Sequence, residues 1–77
     1  MPRYFFHVRE DGVLFEDTQG TELATWEEAK EWAVHDAREL LKQNVLQRPL
    51  SEDWMVIDNE DGETLAIIPF TELLIGY

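Results

Sequence analysis

The chain has no cysteine and little positive charge, and each shortage excludes a class of protein. Without cysteine there is no disulfide framework and no thiolate chemistry. Only six lysine and arginine residues stand against seventeen aspartates and glutamates, so the net charge is −11 at pH 7. Such a charge repels phosphate backbones and anionic lipid surfaces. We therefore expect no nucleic-acid binding and no membrane binding.

Long apolar runs are also missing. The longest uncharged apolar run, residues 65–70, is far too short to span a membrane, and residues 1–7 lack the apolar run of a signal peptide. We therefore expect a cytoplasmic protein. The hydrophobic content of 44% and charged content of 30% are typical of an ordered soluble domain. Its 77 residues predict a single domain, 1–77, of modest stability.

Recognisable catalytic motifs are lacking as well. The four glycines are dispersed and form no phosphate-binding loop. The only serine, Ser51, and the two histidines, His7 and His35, belong to no nucleophile motif. His7 lies within a predicted strand, where a histidine is most often half-buried and hydrogen-bonded to a neighbour. The sequence therefore favours a protein that is not an enzyme, with no catalytic residue and no cofactor.

Two acidic patterns resemble metal sites without meeting their requirements. Glu31, His35 and Glu39 share the solvent side of the predicted helix, where nothing orients them as ligands. The segment 58–62 resembles a calcium loop, but aligning Gly62 with the invariant glycine puts isoleucine at the first and last ligand positions. We interpret the first pattern as a solvated charged face and the second as a turn, and we predict no metal site.

The strongest secondary-structure signal is a long helix from Thr25 to about Leu46. The Thr25 hydroxyl can accept a hydrogen bond from the Glu28 amide, while the Glu28 carboxylate reaches back to the Thr25 amide, as in a capping box. Trp32 lies outside the apolar stripe of this helix. The stripe, which must pack on a sheet, consists of Trp26, Ala29, Ala33, Ala37, Leu40 and Leu41, with Val34 and Val45 at its margin.

Four segments rich in aromatic and β-branched residues predict strands, which glycine-containing turns join into two hairpins. Residues 17–22 are predicted to form a loop, and residues 70–74 a short helical turn. The predicted strands are residues 3–9, 13–16, 54–58 and 63–68. The fold class is therefore α+β, with ββαββ order and an antiparallel-rich four-stranded sheet that carries one long helix on one face. The first and last strands are the most apolar and are expected at the centre of the sheet.

Several of these segments, taken together, resemble a known family. The opening Met-Pro-Arg-Tyr-Phe-Phe-His-Val-Arg is followed by Gly-Thr-Glu-Leu at 20–23, the alanine-rich helix, Asp-Gly at 61–62 and Pro-Phe at 69–70. Over essentially its whole length the chain is similar to a family of short bacterial proteins described only as a domain of unknown function. The resemblance implies a free-standing small bacterial protein, and it brings no activity, substrate or catalytic residue.

The predicted strands carry apolar side chains on both faces of the sheet, whereas one helix can cover only one face. The other face then exposes a patch larger than is usual for a monomer. We therefore predict a homodimer or a protein partner. The predicted interface residues are Phe5, His7, Trp32, Trp54, Val56, Leu65 and Ile67. In a second interpretation, residues 47–53 and 70–77 fold over this face.

Three functions are compatible with these observations. The favoured one is a small non-catalytic protein-interaction module that homodimerises or docks on a protein partner. A second is a small enzyme or ligand-binding protein whose site forms only on assembly. A third is an acidic mimic of nucleic acid that binds a basic protein, which requires carboxylates spaced like phosphates on one surface.

Overall fold

The computed structural model describes residues 1–43 and 53–74. Within these ranges the chain forms five strands and two helices. In chain order they are β1 (Arg3–Glu10), β2 (Val13–Phe15), β3 (Thr21–Glu22), α1 (Trp26–Gln43), β4 (Asp53–Asp58), β5 (Thr64–Pro69) and α2 (Phe70–Leu74). The fold is therefore α+β, as predicted.

The strands form one antiparallel sheet in the order β2-β1-β4-β5, in which β3 pairs with β1 beyond the end of β2. The predicted central position of the last strand is wrong, because β4 lies beside β1 and β5 lies at the edge. The apolar content of a strand does not by itself determine whether the strand is central or at an edge. Met55 and Ile57 of β4 are fully buried, whereas Leu65 and Ile67 of β5 are exposed.

The predicted four-strand, ββαββ order is too simple. Residues 17–22 were expected to form a loop, but Thr21 and Glu22 pair with Tyr4 and Arg3 as the short strand β3. Between the residues paired with β3 and those paired with β2, three residues of β1 have no strand partner on this edge: Phe5, Phe6 and His7. The Asp17 side chain accepts the Phe6 N–H in this gap, a contact that strand propensity does not indicate.

Both predicted hairpins form. Asp11 and Gly12 join β1 to β2 with φ values of 49° and 82°, the two left-handed residues that a tight hairpin turn requires. Gly62 has φ of 81° in the loop between β4 and β5, as the sequence predicted. The register of this second hairpin shifts between Ile57 and Asp58, where β5 contains an extra residue.

Helix α1 begins at Trp26, as predicted, and the described part ends at Gln43, so the predicted end near Leu46 lies outside the described residues. The Glu28 N–H donates to the Thr25 hydroxyl at 3.1 Å. The Glu28 carboxylate accepts from Ala24 N–H at 3.0 Å rather than from Thr25, so it reaches one residue further back than predicted. In residues 1–43 and 53–74, no helix combines the length and the apolar character needed to cross a membrane.

One hydrophobic core lies between the helices and one face of the sheet. The helix contributes small alanines, which let its backbone sit close to the larger side chains of the strands. Helix α2 adds Phe70 and Leu73 to the same core. The buried apolar residues are Tyr4, Phe6, Ala29, Ala33, Ala37, Met55, Ile57, Ile68, Phe70 and Leu73. The predicted helix stripe is thus confirmed for its described alanines, and the face of Tyr4 and Phe6 is the one that α1 covers.

Candidate functional site

The side chains that point away from α1 form the second face of the sheet, here called the open face. Directly opposed residues in neighbouring strands share a face, and successive residues alternate. His7 opposes Val56, which in turn opposes Ile67, so these three side chains lie side by side. The open face consists of Arg3, Phe5, His7, Arg9, Leu14, Glu22, Trp54, Val56, Asp58, Thr64, Leu65, Ile67 and Pro69, and Glu16 lines it next to β2.

Exposure on the open face increases from the centre of the sheet to its β5 edge. Phe5 on β1 and Val56 on β4 are half-buried. Ile67 on β5 is 61% exposed and Leu65 is 44% exposed. Trp54, which opposes the end of β5, is 37% exposed. At the opposite edge Leu14 of β2 is 48% exposed. Most of the exposed large apolar side chains of the open face, including the most exposed one, therefore lie at its β5 side.

The structure brings together six of the seven residues that the sequence predicted as an interface, and it separates the seventh. Trp32 is 40% exposed but lies on α1, on the opposite side of the sheet from the other six. Its ring packs near that of His35, with 6.1 Å between centroids. A single contact surface cannot include both Trp32 and Ile67, so the predicted set divides into two surfaces.

The described part of the C-terminal segment does not cover the open face. Phe70 and Leu73 of α2 are buried in the core on the α1 side of the sheet. Asp53 is the first residue of β4 and is itself buried. Residues 44–52 and 75–77 lie outside the described ranges, and with them the rest of the predicted cover.

His7 is the centre of a hydrogen-bonded chain on the open face. The Asp17 N–H donates to His7 Nδ1 at 2.9 Å, which requires that nitrogen to carry a lone pair. The other ring nitrogen, Nε2, lies 3.1 Å from Asp58 Oδ2 and donates to it in the corresponding neutral tautomer. The Thr64 hydroxyl donates to Asp58 Oδ1 at 2.8 Å. In this arrangement neither ring nitrogen has a free lone pair for a proton or a metal ion.

Asp17 holds the loop that positions His7. Its Oδ2 accepts the Phe6 N–H at 3.1 Å, and its Oδ1 accepts those of Gln19 at 3.2 Å and Gly20 at 3.0 Å. Burial alone would raise the pKa of Asp17. The three backbone N–H donors and the nearby His7 more than offset this effect and hold the pKa below its usual value. Asp17 was not among the residues predicted from the sequence, although an Asp three residues before a Gly is a signal for such a turn.

A concavity of about 500 Å³ lies beside this chain on the open face. Arg9 and Glu16 bring opposite charges to its lining, together with Asp58 and the Thr64 hydroxyl. The Thr64 hydroxyl donates to Asp58, whose other carboxylate oxygen contacts His7, so a hydroxyl, a carboxylate and an imidazole form one hydrogen-bonded chain in the lining. The lining can therefore make polar and ionic contacts.

Among the residues that the structure describes, no group of three or more potential ligands is placed to hold an ion. Glu31 and His35 line a shallow, open depression on α1 with Trp32 and remain a solvated surface.

Comparison with known proteins identifies a family whose description states no function. Neither the curated proteins nor the solved structures yielded a match. Residues 3–71 match the family described as "Domain of unknown function (DUF6894)", whose description states no activity. Because this match covers most of the 77 residues, the chain belongs to the DUF6894 family.

Proposed function

We propose that this protein is a small non-catalytic interaction module that pairs with a second copy of itself through the open face. The observation that carries the proposal is the exposure of large apolar side chains there, among them Ile67 at 61%, Leu14 at 48% and Leu65 at 44%. Contiguous apolar patches of this kind mark interaction sites on soluble proteins. A domain of 77 residues has a small core, so burying more apolar surface against a second copy adds stability that the single chain lacks.

The distribution of charge supports contact at this face. The chain carries a net charge of −11, which opposes association of two copies wherever their carboxylates meet. The charged side chains on or lining the open face are two positive and three negative: Arg3, Arg9, Glu16, Glu22 and Asp58. Asp58 is also hydrogen-bonded to His7 and Thr64. Two copies that approach through this face therefore oppose little of their excess negative charge.

The geometry of the polar groups supports a non-catalytic role. His7 accepts a backbone N–H with one ring nitrogen and contacts a carboxylate with the other. A general base needs a free lone pair within reach of its substrate. A histidine with both nitrogens engaged is better suited to hold the loop of Asp17 against β1 than to transfer protons.

The test is the molar mass in solution, measured by light scattering coupled to size exclusion over a range of micromolar concentrations. We expect twice the chain mass of 9.1 kDa, with dissociation on dilution. Ile67→Lys should shift the equilibrium to the single chain, because it places a charge at the most exposed apolar position of the open face. Trp32→Lys is the matched control, since it makes the same change of charge at an exposed apolar residue on α1.

Two results would contradict the proposal. One is a mass of 9.1 kDa that persists as the concentration rises. The other is a dimer that Trp32→Lys disrupts and Ile67→Lys leaves intact, which would move the contact to the helix side. Circular dichroism of both variants establishes that the fold is retained before the masses are compared.

A further inference from the structure

The two edges of the sheet differ in how they are protected. One edge is divided between the short strands β2 and β3, and the Asp17 carboxylate covers the Phe6 N–H between them. The other edge is β5, which has six residues and no charged side chain. Natural proteins usually protect an edge strand with charges, bulges or a cover, because its unpaired backbone groups can pair with another chain. Here β5 has a bulge at its start and a proline at its end, and no strand in residues 1–43 and 53–74 pairs with the outer side of the stretch between them.

The direction of the backbone groups in β5 follows from the hydrogen bond at Phe6. In an antiparallel strand, the N–H and C=O of one residue point to the same neighbour, and those of the next residue point to the opposite side. The Phe6 N–H points to Asp17, on the β2–β3 side of β1. The N–H and C=O of His7 therefore point to β4, where the opposed residue is Val56. The N–H and C=O of Val56 point back to β1 in the same way.

The same alternation continues across β4 into β5. Since the N–H and C=O of Val56 point to β1, those of its neighbour Met55 point to β5, where Met55 opposes Ile68. Ala66 is likewise engaged with β4, because it lies two residues from Ile68. Ile67, between them, directs its N–H and C=O away from β4. Among the described residues no strand lies on that side of β5, so this pair of backbone groups faces the free edge.

We propose that β5 of one copy pairs antiparallel with β5 of a second copy about a two-fold axis at Ile67, so that two sheets become one. This inference rests on the proposed homodimer and names the element that makes the contact. The N–H of each Ile67 donates to the C=O of the other, which forms a symmetric pair of hydrogen bonds. Both Ile67 side chains then pack against each other on the same side of the joined sheet. The contact is therefore made along the β5 side of the open face, and the rest of that face stays accessible.

A second copy fits this edge better than a partner of different charge. Residues 64–69 contain no ionisable side chain, so two copies oppose no like charges when these strands meet, despite a net charge of −11 each. The same lack of carboxylates means that β5 offers nothing to attract a basic partner. Ile67 is 61% exposed, the highest value among the large apolar side chains of the open face, so contact at this edge buries the most accessible of them. Pro69 has no N–H and ends the pairing ladder.

The discriminating experiment compares Ile67→Pro with Ile67→Ala in full-length protein by sedimentation or light scattering. Both variants shorten the apolar side chain, but only proline removes the outward N–H. Because that N–H does not bond to β4, the fold should persist, and circular dichroism checks this. We expect the dimer dissociation constant to rise by about tenfold or more for proline relative to alanine, because both bonds of the symmetric pair are lost.

Amide hydrogen exchange of the wild-type protein provides a second measurement that needs no variant. The Ile67 amide should be protected at high concentration and should exchange faster on dilution, in step with dissociation measured by mass. A wild-type dimer that proline and alanine weaken equally, or in which the Ile67 amide is unprotected, overturns the β5 pairing and leaves a homodimer formed by another part of the open face. A single chain at all concentrations overturns both the pairing and the proposed function.

Discussion

The Asp17 carboxylate accepts the Phe6 backbone N–H at 3.1 Å, and this contact replaces a missing strand partner. Strand β2 has ended and β3 has not yet begun at this point of the edge. Without Asp17, a part-buried backbone donor would be left without its acceptor, which would lower the free energy of unfolding. The Asp17 side chain thereby joins two short strands into a continuous edge, while the Asp17 backbone N–H donates to His7 Nδ1.

Replacing Asp17 with asparagine should lower the free energy of unfolding by about 1–3 kcal/mol at neutral pH. Asparagine retains one acceptor oxygen but turns an amino group toward backbone N–H donors that the carboxylate bonded. The folded-state pKa of Asp17 lies below its ordinary value of 3.8. The stabilisation is therefore complete above about that pH and is lost as the pH falls through the folded-state pKa.

Urea denaturation of Asp17→Asn between neutral and acidic pH measures this effect. Glu16→Gln removes the same charge from the exposed neighbouring residue and should change stability little. Equal losses in the two variants would show that net charge, rather than the hydrogen bonds of Asp17, determines the difference.

Gly20 is predicted to tolerate substitution less well than Gly12, although both have positive φ. A Cβ on Gly20 would lie 2.8 Å from Arg3 Cγ, 2.9 Å from Phe5 Cε2 and 3.0 Å from the Tyr4 carbonyl oxygen. A Cβ on Gly12 would meet open space. Gly12→Ala should cost about 1–2 kcal/mol from backbone strain alone, and Gly20→Ala a further 1–3 kcal/mol or so from overpacking.

Thermal unfolding of the two glycine variants, followed by circular dichroism, tests this difference. The Gly12 variant serves as the control for the conformational strain that both share. Equal melting temperatures would mean that the loop at Gly20 moves away from β1 at little cost.

Thr25→Ala should destabilise the protein by about 0.5–2 kcal/mol, because it removes the side-chain acceptor for the Glu28 N–H at the start of α1. Chemical denaturation gives the change in midpoint. Thr18→Ala, in the exposed loop before β3, is the control. An unchanged midpoint for Thr25→Ala would show that water replaces the cap without loss.

Asp36→Asn is expected to stabilise the protein at neutral pH. Burial raises the pKa of the Asp36 carboxyl above 3.8, the Asp17 carboxylate raises it further, and His35 partly opposes both effects. A raised folded-state pKa means that the charged form destabilises the fold once the pH exceeds the folded-state value. The gain from asparagine should therefore disappear as the pH falls through that pKa to below about 3.8.

Melting temperatures of Asp36→Asn and wild type over this pH range show whether the substitution stabilises or destabilises the protein. Asp61→Asn, in the exposed turn before β5, controls for the change in net charge. A loss of stability at neutral pH would mean that the Asp36 carboxylate makes a stabilising contact that outweighs its burial.

Sequence by itself determined the features that depend on a few neighbouring residues. Thr25 caps α1, and Gly12 and Gly62 adopt positive φ in their hairpins, because these preferences depend on local backbone geometry. The alanine stripe of α1 was predictable for the same reason, since helical spacing alone places Ala29, Ala33 and Ala37 on one side. Apolar residues on both faces of each hairpin also indicated that one face would stay open.

Only the tertiary structure decided which face is open and which residues share it. Strand order depends on contacts between residues far apart in the chain, so the apolar content of β5 could not show that it lies at the edge. Trp32 was predicted to share an interface with Ile67 because both are apolar residues outside the predicted core, yet the sheet lies between them. Asp17 bonds to Phe6, eleven residues away, and periodicity carries no information about such a contact. Local preferences therefore determined the elements, while long-range packing determined the surface that they leave exposed.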